Sequence, residues 1–416
     1  MIRVSDRNIQ STYLNILAKS KSDLATIQKQ LVSQSKINKP SDAPLGTSRV
    51  MRMSGQIESF NVFEKNIDSG LAYIDNSSSA LEGIKDEIQK VLKDLTDANN
   101  ATVSDNLPQY SDKIKASLNS ILDLANTSFD GQFLFGGSDN STTPVGFNST
   151  GQLVEFKSNR IDADHKIKIS NYTEQKININ SKEVFASVLK NTGNLDSTSA
   201  IGNTQTVTSS IYNSEGTEYS FVVTYTKTAA NNYTMNYSIL DPSNAVVTSG
   251  SNALTYNNIT GALQSIDGNL PNDIKISDET NKINLVFDTQ SLMEKNSPAT
   301  VNSNLSQKAD IFNVLKSISD TLNTGKIPEK EHIQLVSDFE KHLINKISEL
   351  GSYRNRLTDT QDLNKSQSVT LQELVSKEKD VDVAQLAIEL QEKQYSLDLT
   401  YKISSTLLPK SLLDYL

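Results

Sequence analysis

Residues 380–416 read DVDVAQLAIELQEKQYSLDLTYKISSTLLPKSLLDYL, and the helix they predict, from about 377 to 408, is apolar on two sides. Val381, Ile388 and Tyr395 share one face, with Ala384 and Leu399 close by. Val383, Leu386, Leu390 and Leu397 lie on the nearly opposite face, because a two-residue offset turns by about 200°. A helix that is apolar on opposite sides needs to be buried on both. An isolated chain offers few ways to do that. A bundle of several subunits offers an obvious one.

The other end of the chain carries a matching pattern. Residues 5–38 predict one helix in which Leu17, Leu24 and Leu31 recur every seven residues, with Tyr13, Ser20 and Ile27 as the companion seam. No Gly or Pro interrupts it before Pro40. The segment INKPSDAP, residues 37–44, then makes a turn, and Ser41-Asp42 offers a new N-cap. A second helix, 46–100, carries Ile67, Leu71, Ile74, Leu81, Ile88 and Leu95 on one seam, which suits an intramolecular core. A third, 108–127, has Pro108 in its first turn. Towards the C-terminus, 305–323 shows Ile311, Leu315, Ile318 and Leu322. Residues 328–376 carry Val336, Leu343, Leu350 and Leu357, again seven apart.

The middle, about 131–300, changes period. Tyr219, Phe221, Val223 and Tyr225 alternate with polar residues, and Tyr233, Met235, Tyr237 and Ile239 do the same after a turn near Ala229–Asn232. Period two predicts a β-hairpin. Ile283, Leu285 and Phe287 predict another strand, and shorter ones are expected at 152–157, 166–170 and 176–180. The Ser/Thr/Asn stretch 191–210 reads as a linker. The expected class is α+β: an elongated coiled-coil rod of N- and C-terminal helices with an inserted all-β domain. The boundaries are 1–45 (N-terminal assembly helix), 46–130 (rod helices paired with 300–376), 131–190 (β segment at the rod tip), 191–299 (inserted β domain), 300–376 (rod helices) and 377–416 (C-terminal assembly helix).

Composition excludes several functions. Of 416 residues only 36% are hydrophobic and 6% aromatic, which suits well-solvated structure with narrow apolar seams. The net charge of −9 lacks the basic footprint of a nucleic-acid binder. Without cysteine there is no disulfide, no thiolate catalysis and no cysteine-ligated metal. The N-terminus MIRVSDRNIQSTYLNILAKS lacks the apolar core of a cleavable signal, and no stretch approaches the ~18 apolar residues of a membrane span.

Catalytic signals are weak. His332 and His342 do not share a helix face, and no HExxH pair, P-loop or nucleophile elbow occurs. Asp162, Asp164 and His165 could touch a metal but read better as a polar turn. Gly136-Gly137 reads as a chain reversal at the boundary of the insert. No catalytic, cofactor or metal residue is assigned, and the chain is read as a non-enzyme.

Four segments resemble the flagellin and hook-associated family of bacteria. INKPSDAPLGTSRVMRM, residues 37–53, is similar to the turn after the first flagellin-type helix. SFDGQFLFGGSDN, residues 128–140, resembles a segment of the hook-associated protein 3 (hook–filament junction) branch of that family, although Pro144 comes late and Val145 replaces Phe. ELGSYRNRLTDTQD, residues 349–362, resembles flagellin-type C-terminal helices. Residues 380–416, with their SLLDYL ending, resemble the last helix of the junction branch. Residues 209–240 look instead like a β module of flagellar hook proteins.

The resemblance implies a structural subunit between the hook and the flagellin filament. Its expected partners are hook-associated protein 1, flagellin, further copies of itself in a ring or helical layer, and a flagellar export chaperone. It implies an extracellular place on the flagellum, reached unfolded through the flagellar type III system without signal cleavage or membrane insertion. Assembly is expected through Tyr13, Leu17, Leu24, Ile27 and Leu31 with Val381, Val383, Leu386, Ile388, Leu390, Tyr395 and Leu397. The alternatives are a flagellin filament subunit, or a surface adhesin that binds through the β domain.

Overall fold

The structure is a computed structural model that describes residues 2–99, 106–137, 142–148, 151, 154–156 and 164–407. Three helices come first, α1 (Ile2–Ser33), α2 (Pro44–Ala98) and α3 (Leu107–Ala125). Short strands follow: β1 (Ser128–Phe129), β2 (Gln132–Phe133), β3 (Val145–Phe147), β4 (Val154–Phe156), β5 (Lys166–Lys168) and β6 (Glu174–Lys176). After the short helix α4 (Ser181–Phe185) come β7 (Val188–Asp196), β8 (Thr204–Tyr212), β9 (Glu218–Ala229), β10 (Asn232–Leu240) and β11 (Val246–Tyr256). Then come β12 (Leu263–Ile266), β13 (Ile274–Asp278), β14 (Ile283–Asp288), β15 (Leu292–Lys295) and β16 (Thr300–Leu305). Helices α5 (Ile311–Asn323), α6 (Lys330–Lys379) and α7 (Val383–Leu407) complete the chain order. The class is α+β, with long terminal helices and an inserted β-sheet region. Two compact units are present, Met1–Lys65 with Asp359–Leu416, and Asn66–Thr358.

In the first unit α1 and α7 pack against each other. Helix α1 stops at Ser33, short of the expected residue 38, because the chain there joins a different hydrogen-bond pattern. Gln34 takes a left-handed φ of 52°. Ser35 then forms an antiparallel bridge with Asp380. Lys36 N–H donates to the Lys379 carbonyl (2.6 Å), and Val381 N–H donates to the Gln34 carbonyl (3.3 Å). The same bridge divides the expected 377–408 helix. Helix α6 ends at Lys379, and Asp382 starts α7 by accepting from Ala384 N–H (3.0 Å) and Gln385 N–H (3.1 Å). The INKPSDAP turn is closed by the Asp42 carboxylate, which accepts from Asn38 N–H (3.0 Å) and Lys39 N–H (2.8 Å). Ion pairs Arg49–Glu378 (3.2 Å) and Lys365–Glu64 (3.4 Å) join the parts of α2 and α6 in this unit.

The second unit has two apolar cores. The helical one takes the predicted seams of α2, α3, α5 and α6, and Phe185 of α4 packs between Phe135, Phe312 and Phe339. The other lies between two five-stranded sheets. One is the antiparallel meander β12-β11-β10-β9-β8, and the other runs β13-β14-β7-β15 with β16 also paired to β7. The expected hairpin is β9–β10, in which Tyr225 faces Met235. Asn231 supplies the positive φ, 60°, at its turn.

The stretch 191–210, read above as a linker, is instead mostly the ordered strands β7 and β8. Leu195, Val207 and Ile211 point into the β core from between the hydroxyl residues, and that alternation makes them strands. Residues 305–310 are not helical either. Leu305 ends β16, and Asp310 starts α5 by accepting from Asn313 N–H (2.9 Å). The third short strand lies at 174–176, ahead of the expected 176–180, because Asn180 caps α4 in a capping box with Glu183.

Asp310 is enclosed. Its other acceptor, Oδ2, takes Asn313 Nδ2 (3.0 Å) and Asn284 Nδ2 (3.4 Å). Both amides also donate to the Val154 carbonyl, at 3.2 and 3.1 Å, so one carboxyl ties β4, β14 and α5 together. Burial pushes this carboxyl from 3.8 up to about 6, against the hydrogen bonds that favour its charged form. The folded carboxyl keeps its proton to higher pH than the unfolded one, so stability falls as pH rises through the window from 3.8 to 6. Asp310→Asn lacks this cost. Its stability relative to the parent is expected to rise by about 2 kcal/mol between pH 4 and pH 7. Urea unfolding at the two pH values checks this, and a pH-independent difference contradicts it.

Candidate assembly interface

The seam of α1 consists of Tyr13, Leu17, Ser20, Leu24, Ile27 and Leu31. Ile27 is buried and the others are half-buried. The matching residues of α7 are Leu386, buried, and Leu390, Lys393, Leu397 and Thr400, half-buried. Spacings of three and four place each set on one stripe. The Tyr13 hydroxyl donates to the Thr400 carbonyl across the pair (3.1 Å). Lys21 Nζ lies over the Tyr401 ring, 5.7 Å from its centre. Val381 is half-buried in the bridge that closes the other end.

Eight of the twelve expected residues therefore sit on the α1–α7 pair inside one chain, Tyr13, Leu17, Leu24, Ile27, Leu31, Leu386, Leu390 and Leu397, and Val381 lies in the adjoining bridge. The other three are exposed, Ile388 by 60%, Tyr395 by 73% and Val383 by 46%. Ile388 and Tyr395 project from the side of α7 opposite α1, together with Leu399. Val383 was expected on the same face as Leu386. As the first residue of α7 it flanks the seam instead.

The heptad reading also missed part of the surface. Leu14 and Val32 on one flank of the α1 seam, and Ile16 on the other, are exposed apolar residues. They fall between the seven-residue repeats, and only the exposure of the folded helix separates them from its core.

Among the described residues no group of three His, Asp or Glu side chains is placed to hold a metal, and no helix is long and apolar enough to cross a membrane. Asp162 lies outside the described residues. Asp164 pairs with Lys176 (2.8 Å) and Lys166 (3.4 Å), and these lysines hold its carboxyl below the usual range. His165 meets the Tyr73 ring edge-on, and His342 Nε2 contacts the Glu183 carbonyl (2.9 Å). Burial lowers the pKa of His165, His332 and His342 alike. These are packing and capping roles.

Residues 4–140 match the bacterial flagellin N-terminal helical region. This flagellin-type region covers about a third of the chain, including α1, α2 and α3. No curated protein matches the chain. Among solved structures it is similar to FlgL from Xanthomonas campestris, at 17% identity over 78% of this chain and 99% of that one, with a TM-score of 0.44. It is also similar to the flagellar junction protein FlgL from Legionella pneumophila, at 14% identity over 79% and 99%, TM-score 0.46. FlgL from Bacillus cereus gives 13%, 79%, 100% and 0.42. These TM-scores lie below 0.5.

Two substitutions on α7 separate its faces. Leu390→Asp puts a charge on the seam and is expected to melt the α1–α7 pair, whereas Ile388→Asp leaves it formed. Hydrogen exchange of the Leu24–Leu31 amides is the measurement. Equal loss of protection in both variants would show that the two faces are not separate.

Proposed function

We propose that the chain is a structural, non-enzymatic subunit of the bacterial flagellum, placed at the junction between hook and filament. The observation that carries this is the division of α7. Its partner inside the chain covers Leu386, Leu390 and Leu397 and leaves Ile388, Tyr395 and Leu399 in water. Burying each of these contributes roughly 1.5–3 kcal/mol, enough in sum to hold a neighbouring subunit when the contact repeats around a layer. Head-to-tail contacts among identical subunits close into rings or continue as helices. The flagellin-type region at residues 4–140 supports the class of assembly.

The junction position, rather than the filament, rests on the resemblance of residues 128–140 and 380–416 to junction subunits. On this reading hook-associated protein 1 lies below the layer and flagellin above it. The chain leaves the cell unfolded through the flagellar type III system, escorted by an export chaperone, and acts outside the cell. Among the described residues neither a disulfide nor a metal cluster has to survive threading. Helices α1 and α7 acquire their full cover only on docking, since a lone helix pair is marginal in water.

Electron microscopy of a deletion strain, with flagellin assayed in the medium, tests the position. Hooks without filaments and shed flagellin are expected. Loss of filaments with no flagellin-type product in the medium would make the chain the filament subunit. Normal attached filaments would remove both flagellar readings. Complementation with the Ile388→Asp/Tyr395→Asp double variant tests the interface: the protein is expected in the medium, folded, and absent from flagella. Its normal incorporation would exclude this face of α7.

A further inference from the structure

The connection between β8 and β9, residues 213–217, is a fastened turn. Asn213 Oδ1 accepts from Glu215 N–H (3.0 Å) and Thr217 N–H (2.9 Å), and Gly216 takes a φ of +86°. The turn is tied to the β13–β14 connection. Ser214 donates from both N–H and hydroxyl to the Lys282 carbonyl, each at 3.0 Å. Asn213 Nδ2 donates to the Asn281 carbonyl (3.1 Å), and Glu215 pairs with Lys282 Nζ (2.5 Å). The turn also rests on the first turn of α6. A methyl group built on Gly216 would lie 2.8 Å from Glu331 Cβ, so only glycine permits this approach.

The next residue of α6 is His332, which is 3% exposed. Neither ring nitrogen has a hydrogen-bond partner, and neither is open to solvent. A neutral imidazole still carries one N–H and one lone pair. A charged ring would carry two unmet N–H groups and a buried charge. The charged groups facing it are Glu215 from the turn, Lys282 from the β13–β14 connection, and Glu329 and Glu331 at the start of α6. Burial, helped by Lys282, outweighs the three glutamates and keeps the ring neutral. The positive pole at the α6 N-terminus acts in the same direction.

We propose that the 213–217 turn is an acid-released latch on α6, and that charging of His332 opens it. In the open state the imidazolium is hydrated and lies beside Glu329 and Glu331 at the start of α6. The open state binds the proton near the ordinary 6.5, and the closed state binds it only at lower pH. The closed latch is therefore fully favoured above pH 6.5, and opening grows as pH falls below it. Asp310 works the other way, because the closed fold takes up its proton at about 6.

Hydrogen exchange of the full-length protein at pH 7.5 and 5.0, with labelling times scaled to the intrinsic rates, tests the latch. Protection of the Ser214 and Thr217 amides is expected to fall at least tenfold in the parent and to hold in His332→Leu. NMR of the ¹³C-histidine-labelled parent supplies a second measure that needs no substitution. The His332 ring signal is expected to titrate below pH 6.5, in step with the loss of protection. Protection unchanged between the two pH values, the same loss in His332→Leu, or a ring that titrates with the turn still closed would each overturn the proposal. If His332→Leu fails to fold, the ring and turn signals of the parent decide.

Discussion

One helix cannot turn two opposite apolar faces away from water with a single partner, and α7 has both. Helix α1 covers one of them. Ile388 and Tyr395, on the other, stand 60% and 73% exposed. The bridge between Ser35 and Asp380 fixes which face α1 takes. It stops α1 at Ser33, separates α6 from α7, and sets the register in which Tyr13 reaches Thr400. A slip by one helical position would turn Leu390 and Leu397 off the seam by about 100°. The bridge therefore decides which apolar residues are core and which stand exposed.

The low apolar content is accommodated by burying one side of most elements. In the β region the inward sides of β9 and β10 supply Tyr219, Phe221, Val223, Tyr225, Tyr233 and Met235 to the core. Some polar groups that are caught inside find partners. Tyr225 accepts from Asn191 Nδ2 (2.8 Å), and the Tyr233 hydroxyl donates to Glu294 (3.1 Å). Such pairs matter less for net stability than for placement, since an unmatched group inside costs about 1–3 kcal/mol. They make a one-residue slip of any central strand expensive.

Periodicity over long stretches was legible without coordinates. The seams Ile67–Leu95 and Val336–Leu357 are helical, and the alternation from Tyr219 to Ile239 is a hairpin. The ends were not legible, because they are fixed by contacts distant in sequence. Nothing local at Gln34 announces a bridge to a residue almost 350 positions later. The polar run 191–210 misled for a related reason: its threonines and serines are the outward half of strands whose inward half is thinly spaced. At the candidate interface the sequence named α7's two faces but not which one the chain covers itself. That depends on the antiparallel register, which only the fold displays.

The same inward–outward division bears on whether the β region recognises a surface glycan or covers the outside of an assembly. Glycan platforms present aromatic rings to solvent. In the meander Tyr219, Tyr225, Tyr233 and Tyr256 are all buried, and Tyr237 stacks on Phe221 at 5.7 Å, whereas Tyr172 in the β5–β6 turn is 99% exposed. The outward side of the meander carries Thr204, Thr206, Ser220, Thr224, Thr226 and Thr234, and two of its hydroxyls, those of Thr206 and Thr224, bond to each other at 2.9 Å. Short hydroxyl side chains on a sheet hold water, offer little apolar area, and make poor partners for a second sheet. That arrangement makes the outward side of the meander a well-solvated face.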